Sequence, residues 1–447
     1  MNLREQAFAI FHAAIDAVKP EALIRQHLTL QDERLFFRGR EILDLQAFER
    51  IYLVGAGKAS AFMARALEAL LGERISGGLV IVKYGHSAPC RRITIREAGH
   101  PLPDENGLNA AEALLSLTGQ AGGKDLVICL ISGGGSALLE KLPGSEAPGG
   151  GITLEDLQET FRRLLECGAT IEEMNALRKH LSLVKGGRLA AAIAPARCLT
   201  LAISDVIGDP PETIASGPTA PDPTTFADAW DAVRKYQLED RLPAPVTGYL
   251  QKGLRGEAPE TLKPGDPVFE KVENIILGNN LAALNAAREV AESLGYPTLI
   301  LSSRIRGEAR EAARVIAAIV QEILAGGRPL PRPACLLFGG ETTVTVRGGG
   351  KGGRNQEFAL AALNELKSIR APHILLSCGS DGGDGPTDAA GAFIDPEIYR
   401  AAEALDLDSR AYLQDNDAYH FFEQAGGLVK TGPTGTNVMD IGIALVP

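Results

Sequence analysis

The 447-residue sequence predicts an α/β protein whose largely parallel sheets are flanked by helices. Two patterns carry that expectation. Short continuous apolar runs, such as IleTyrLeuVal at 51–54, read as strands buried on both faces, because a strand with one wet face would alternate. Amphipathic stretches at helical spacing separate most of these runs, which is the order of βαβ units. The length suits about two or three domains rather than one core.

Residues 1–20 read as a helix, with Phe8, Ile10, Phe11, Ala14, Ile15 and Val18 on one face and Pro20 as its stop. After the strand at 51–54, Phe62, Met63, Leu67, Leu70 and Leu71 recur at helical spacing up to Gly72. Further strands are expected at 79–82, 126–131, 199–203, 274–277, 298–301, 335–338 and 374–378. Thr153 with Asp156, and Thr170 with Glu173, have capping-box spacing ahead of apolar helices. ThrThrValThrVal at 342–346 alternates and reads as an antiparallel edge strand. The proline-, glycine- and charge-rich stretch 243–267 is the expected boundary between an N-terminal α/β domain, 1–242 with its core at about 45–240, and a C-terminal α/β domain, 243–447. The proline-rich segment 204–225 has little periodicity, and such long irregular segments are often functional.

Hydrophobic residues make up 45% and charged residues 23%, as in ordinary globular proteins. A net charge of −11 with scattered basic residues argues against a nucleic-acid surface. No apolar stretch reaches the ~18 residues of a membrane span, and the N-terminus lacks a signal-peptide pattern. The six cysteines form no CxxC pair, which points to a reducing, cytoplasmic setting without zinc or disulfides. A small-molecule partner is expected, with monomer and homodimer both open.

Glycine-rich joints between strands and helices supply the chemistry. The run KGGRNQE at 351–357 follows the triple glycine 348–350 and opens a helix-like segment. It puts Lys351 and Arg354 where backbone N–H groups and the helix dipole favour a phosphate. At 54–60, VGAGKAS offers Gly55 and Gly57, with Lys58 in the first helical turn. Ser60 replaces the third glycine of a dinucleotide fingerprint, and Ala59 stands where a Walker A loop needs Ser or Thr. A lysine there opposes the helix dipole, which makes more sense if an anion arrives. Ser132, Gly133, Gly134 and Ser136 form a third joint after the strand at 126–131. Asn175 and Lys179 share a helix face by i,i+4 spacing, which a solvated face explains nearly as well; His180 reads as packed.

Carboxylates supply the other half. Asp205 sits at the C-terminal end of a strand, where parallel sheets place ligands, and Asp209 follows it. Asp381, Asp384 and Asp388 fall within nine residues with three glycines, a pattern suited to a hard cation such as magnesium. Phosphate-holding glycines, cations and magnesium-type aspartates together favour phosphoryl transfer.

With these residues assembled, the chain resembles the class II glycerate 2-kinases, whose C-terminal part is the MOFRL domain. The resemblance rests on VGAGKAS at Val54, GHPLPDENG at Gly99, SGGGSA at Ser132, NALRKHLSLVKGGRLA at Asn175, SDVIGDPPETIASGPTAPDPTT at Ser204, GGETTVTVRGGGKGGRNQE at Gly339, SDGGDGPTDAAGA at Ser380 and GPTGTNVMD at Gly432. It implies a Rossmann-like N-terminal domain, an active site in an interdomain cleft, and magnesium-assisted transfer of the ATP γ-phosphoryl group to the 2-hydroxyl of D-glycerate. Lys58, Arg354 and Asp205 would be catalytic, with Asp381 and Asp384 at the metal. Gly55, Gly57, Ser132, Gly133, Gly134, Ser136, Asn175, Lys179 and Lys351 would bind substrate or nucleotide. Whether the N-terminal helix packs on the C-terminal domain stays open. Two rivals remain: an NAD(P)H-dependent hydroxypyruvate reductase, suggested by the turn at Gly55, and a non-catalytic sensor of a small organic acid.

Overall fold

The computed structural model describes residues 1–144 and 151–447. The chain forms two compact units, one of Leu23–Leu277 and the other of Met1–Ala22 with Gly278–Pro447.

The unit Leu23–Leu277 begins with a small antiparallel sheet of β1 (Leu28–Gln31), β2 (Arg34–Phe37) and β3 (Arg40–Asp44). Asp32 and Glu33, with φ of 47° and 69°, make the two-residue turn that joins β1 to β2. Its main sheet has six strands: β4 (Arg50–Ala56), β5 (Ile75–Lys83), β6 (Ile93–Ala98), β7 (Asp125–Ile131), β8 (Arg197–Ile203) and β9 (Val272–Gly278). Their order is β6-β5-β4-β7-β8-β9, and the β4/β5, β4/β7, β5/β6 and β7/β8 pairs are all parallel. Counted from β4, that is the 3-2-1-4-5-6 order of a doubly wound sheet. Every residue of β7 is buried, as a central parallel strand requires. The two capping boxes form as expected: Thr153 and Thr170 accept from the N–H groups of Asp156 and Glu173.

The second unit also holds six strands: β10 (Thr298–Ile305), β11 (Ala334–Gly340), β12 (Ile374–Gly379), β13 (Gly391–Ile394), β14 (Leu428–Val429) and β15 (Asp440–Val446), ordered β10-β11-β15-β12-β13-β14. Here only β10 and β11 run parallel. The C-terminal strand β15 inserts antiparallel between β11 and β12, and β13 and β14 continue antiparallel. The expectation of parallel sheets therefore holds for β4 to β8 in the main sheet of the first unit, while the sheet of the second unit is mixed. The segment 342–346 is not an edge strand; only an isolated bridge joins Thr343 to Glu308.

The division between units also differs from the boundary at 243. Residues beyond it still build the first unit, as the helix Ala244–Leu254 and as β9, which lies beside β8. The N-terminal helix Leu3–Ala17 packs in the second unit. The Arg4 guanidinium donates to Asp395 at 3.0 Å, and Thr436 Oγ1 donates to the Val18 carbonyl at 2.6 Å. Pro20 starts a second helix, Pro20–His27, as well as ending the first.

Candidate active site

The strand order of the first unit reverses between β4 and β7, so the loops leaving their C-terminal ends meet. The first of these, 57–60, proves to be sealed by the second. Gly57 N–H donates to the Ile81 carbonyl at 3.1 Å, Lys58 N–H to the Gly133 carbonyl at 2.9 Å, and Ala59 N–H to Ser132 Oγ at 3.0 Å. A Cβ at Gly55 would lie 2.1 Å from the Leu130 carbonyl oxygen, and one at Gly57 (φ 144°) 2.1 Å from Ser132 Oγ. These glycines admit the neighbouring chain segment, not a ligand. Ser132 is fully buried and, with Ser60 Oγ 3.0 Å away, clamps the two loops together.

The loop 132–136 is the one with donors to spare. Among the described residues, the N–H groups of Gly133, Gly134 and Ser136 meet no protein acceptor. Unpaired N–H groups gathered in a glycine-rich turn are suited to form a nest that holds an anion. Gly134 (φ 83°) has Lys58 Cγ 3.4 Å and His100 Cδ2 2.8 Å from the place its Cβ would take, so the Lys58 chain lies beside the nest.

Ser136 Oγ lies 2.7 Å from Ser216 Oγ, which donates to Asn175 Oδ1 at 3.2 Å. Two of the expected binding residues thus meet through Ser216, which no sequence pattern marked. The signal was conformational: Ala215, Ser216 and Gly217 all have positive φ, 50°, 60° and 60°, and strain of this kind in non-glycine residues gathers at functional sites. Asp205 stands partly exposed just past β8, at the same C-terminal edge of the sheet.

Lys179 is not part of this group. Its Nζ lies 3.0 Å from Asp222 Oδ1, and both side chains are buried, so the pair ties its helix to the loop at 222. His180 is buried as expected, with its ring nitrogens 2.7 Å from the Ala176 carbonyl and from Glu260.

In the second unit the loop 347–351 is closed in the same way. The N–H groups of Arg347 and Gly348 donate to Asn416 Oδ1, those of Gly349 and Gly350 to Asp415, and that of Lys351 to Asp417 Oδ1. Asp384 fills the N-terminus of the helix Arg354–Leu366. Its oxygens accept from Asn355 N–H at 3.0 Å and Gln356 N–H at 2.9 Å. The place expected for an anion at this helix start is therefore taken by the protein's own Asp384 carboxyl group. Lys351 Nζ rests 4.2 Å from the centre of the Tyr419 ring. Arg354 forms a bidentate pair with Asp440, at 2.7 and 2.9 Å, and a third contact to Glu341 at 2.9 Å. Burial alone would lower its pKa, but the facing carboxylates outweigh that and hold it above the usual arginine value.

The aspartates at 381–388 do not converge on a cation. Asp381 Oδ1 accepts from Gly383 N–H at 2.9 Å, Asp384 points inward to the helix, and Asp388 is held by Tyr419 at 2.8 Å and Lys430 at 2.9 Å. No group of three or more metal-ligating acidic, His or Cys side chains forms among the described residues. A magnesium ion here would rely on one or two of these carboxylates together with waters and substrate oxygens.

Burial pushes the Asp384 carboxyl up to about 7. A folded value above the unfolded 3.8 means that the folded state binds the proton more tightly. The stability it contributes is complete at low pH and is lost as pH rises through about 7. Asp384→Asn keeps an oxygen for the helix N–H groups but cannot ionise. Melting temperatures from pH 5 to 8 should therefore fall more steeply in wild type than in this variant, and parallel curves would contradict the assignment.

A doubly wound parallel sheet in one unit and a mixed sheet in the other define a two-part α/β protein. The sequence comparisons place it further. Residues 6–251 match a domain family described only as of unknown function, and residues 334–440 match the MOFRL family. A glycerate 2-kinase from Pyrococcus horikoshii is 41% identical over 100% of this chain and 98% of its own length. The crystal structure of glycerate kinase from Thermotoga maritima superposes with a TM-score of 0.84 at 40% identity, covering 100% of this chain and 99% of that one. An Agrobacterium vitis relative, 41% identical over 100% of this chain and 95% of its own, bears a provisional hydroxypyruvate reductase name. The chain belongs to the MOFRL-containing glycerate 2-kinase family.

Proposed function

We propose that this protein transfers the γ-phosphoryl group of ATP to the 2-hydroxyl of D-glycerate, giving 2-phosphoglycerate and ADP. The observation that carries the reading is the open nest of Gly133, Gly134 and Ser136 with Lys58 alongside. Donors and a cation at one strand end suit a phosphoryl group whose charge must be neutralised while it moves. In the transfer, the 2-oxygen bonds to the γ-phosphorus, the β–γ bridging bond breaks toward ADP, and the hydroxyl proton leaves to a base. Asp205 takes that proton in this proposal, and Arg354 is a further catalytic cation. Magnesium would enter with the nucleotide, held largely by phosphate oxygens and waters.

The reductase reading draws support from the provisional name of the Agrobacterium vitis relative. The sealed first turn weighs against it. A dinucleotide pyrophosphate is held by the N–H groups of that turn, and here those of Gly57, Lys58 and Ala59 are already bonded within the protein. The test is to supply hydroxypyruvate with NADH, and separately D-glycerate with ATP and magnesium. ADP release dependent on glycerate is expected, and NADH oxidation without ATP turnover would sink the kinase reading.

Asp205→Asn is expected to lower turnover about 10²- to 10⁴-fold, the usual loss when a general base is removed. Steady-state rates at saturating substrates check this; wild-type turnover would remove Asp205 from the mechanism.

A further inference from the structure

Four cations lie close together in sequence in the first unit, and three of them are fully engaged. Lys179 pairs with Asp222 at 3.0 Å. Lys185 pairs with Glu140 in the core and also donates to the Leu139 carbonyl at 3.2 Å. Arg188 donates to the carbonyls of Lys179, Ser182 and Pro259 at 2.8, 2.6 and 2.8 Å. Arg178 is the exception. Its guanidinium lies 5.0 Å from the centre of the Phe161 ring and makes one long hydrogen bond, to Asn175 Oδ1 at 3.4 Å. Among the described residues no carboxylate lies within 4.0 Å of it, and Glu140, the carboxylate that acts on it from further away, is held by Lys185. A half-buried guanidinium has five N–H donors, and leaving most of them without an acceptor is costly.

Its hydrogen bond to Asn175 leads toward the site. Asn175 joins Ser216, and Ser216 joins Ser136 in the anion nest. A planar fork thus stands at one end of a chain of uncharged amide and hydroxyl groups, with the phosphate-type nest at the other. Amides and hydroxyls both donate and accept, which suits the hydroxyls of a small hydroxy acid. A single fork matches a planar carboxylate better than a polyphosphate, which gathers several cations.

We propose, resting on the kinase reading above, that Arg178 binds the carboxylate of the 2-hydroxy acid substrate and that Asn175, Ser216 and Ser136 face its hydroxyls. Steady-state kinetics of Arg178→Met and Arg178→Lys test this, with melting temperatures as a check on folding. Losing a charge-assisted bidentate pair of about 1.5–3 kcal/mol should raise the KM for D-glycerate roughly 10- to 150-fold, with the KM for ATP within about twofold of wild type. The preference for D-glycerate over its uncharged amide, large in wild type, should collapse in Arg178→Met. Should that variant fail to fold, Arg178→Lys, which keeps the charge but not the fork, should still raise the glycerate KM. An unchanged glycerate KM in a folded variant, or a rise confined to ATP, overturns the inference and leaves the kinase reading standing. Wild-type protein that phosphorylates no glycerate would instead remove the kinase reading and this inference with it.

Discussion

Lys58→Ala is expected to lower turnover by about 10³-fold or more while changing both Michaelis constants little. A cation that neutralises the moving phosphoryl group acts mainly in the transition state, and such groups contribute on the order of 10³–10⁵ in rate. The substitution is well suited to this test. The Lys58 backbone N–H, which ties its loop to Gly133, is kept in alanine, so the sealed turn should survive. A melting-temperature measurement checks that the variant is folded. A folded Lys58→Ala protein with turnover within about twofold of wild type would show that the nest is not where the phosphoryl group moves.

Arg354→Ala should be nearly as damaging to turnover, and it should also destabilise the protein. Its partner Asp440 has only 10% of its side chain exposed, and the pair is bidentate. Removing one member of a buried ion pair commonly costs about 3–5 kcal/mol, because the other charge stays behind; the remaining bond from Asn355 Nδ2 at 2.9 Å softens that loss. Adding Asp440→Asn to Arg354→Ala separates the two effects. The double variant should regain melting temperature but not turnover. Recovery of turnover along with stability would mean that Arg354 is a structural cation only.

What the sequence made legible depended on how local each signal was. The strands β4, β7 and β8 stood out because a parallel strand buried on both faces is a continuous apolar run. The capping boxes at Thr153 and Thr170 were readable because their partners lie three residues away. β6 was missed because it is an edge strand with charged positions, ArgGlu at 96–97. The mixed sheet was illegible for a different reason: β15 pairs with strands about 60 to 110 residues earlier, and no local pattern reports such a pairing. At the site, the glycine joints were legible as joints, but not the fate of their N–H groups. Asp384 reaches the start of the helix at Arg354 from 29 residues along the chain and takes the place foreseen for phosphate. Helical spacing singled out Asn175 and Lys179, yet could not say that Lys179 faces Asp222 while Arg178 turns to Asn175.

Phosphorus NMR of the product tests the central claim most directly. Wild-type protein is incubated with ATP, magnesium and D-glycerate, and the new phosphate ester is assigned through its coupling to the carbon-bound protons. The account predicts a single ester coupled to the one proton of carbon 2, formed in equal amount to ADP and absent when glycerate is omitted. An ester coupled to the two protons of carbon 3, or ADP released without any ester, would contradict it.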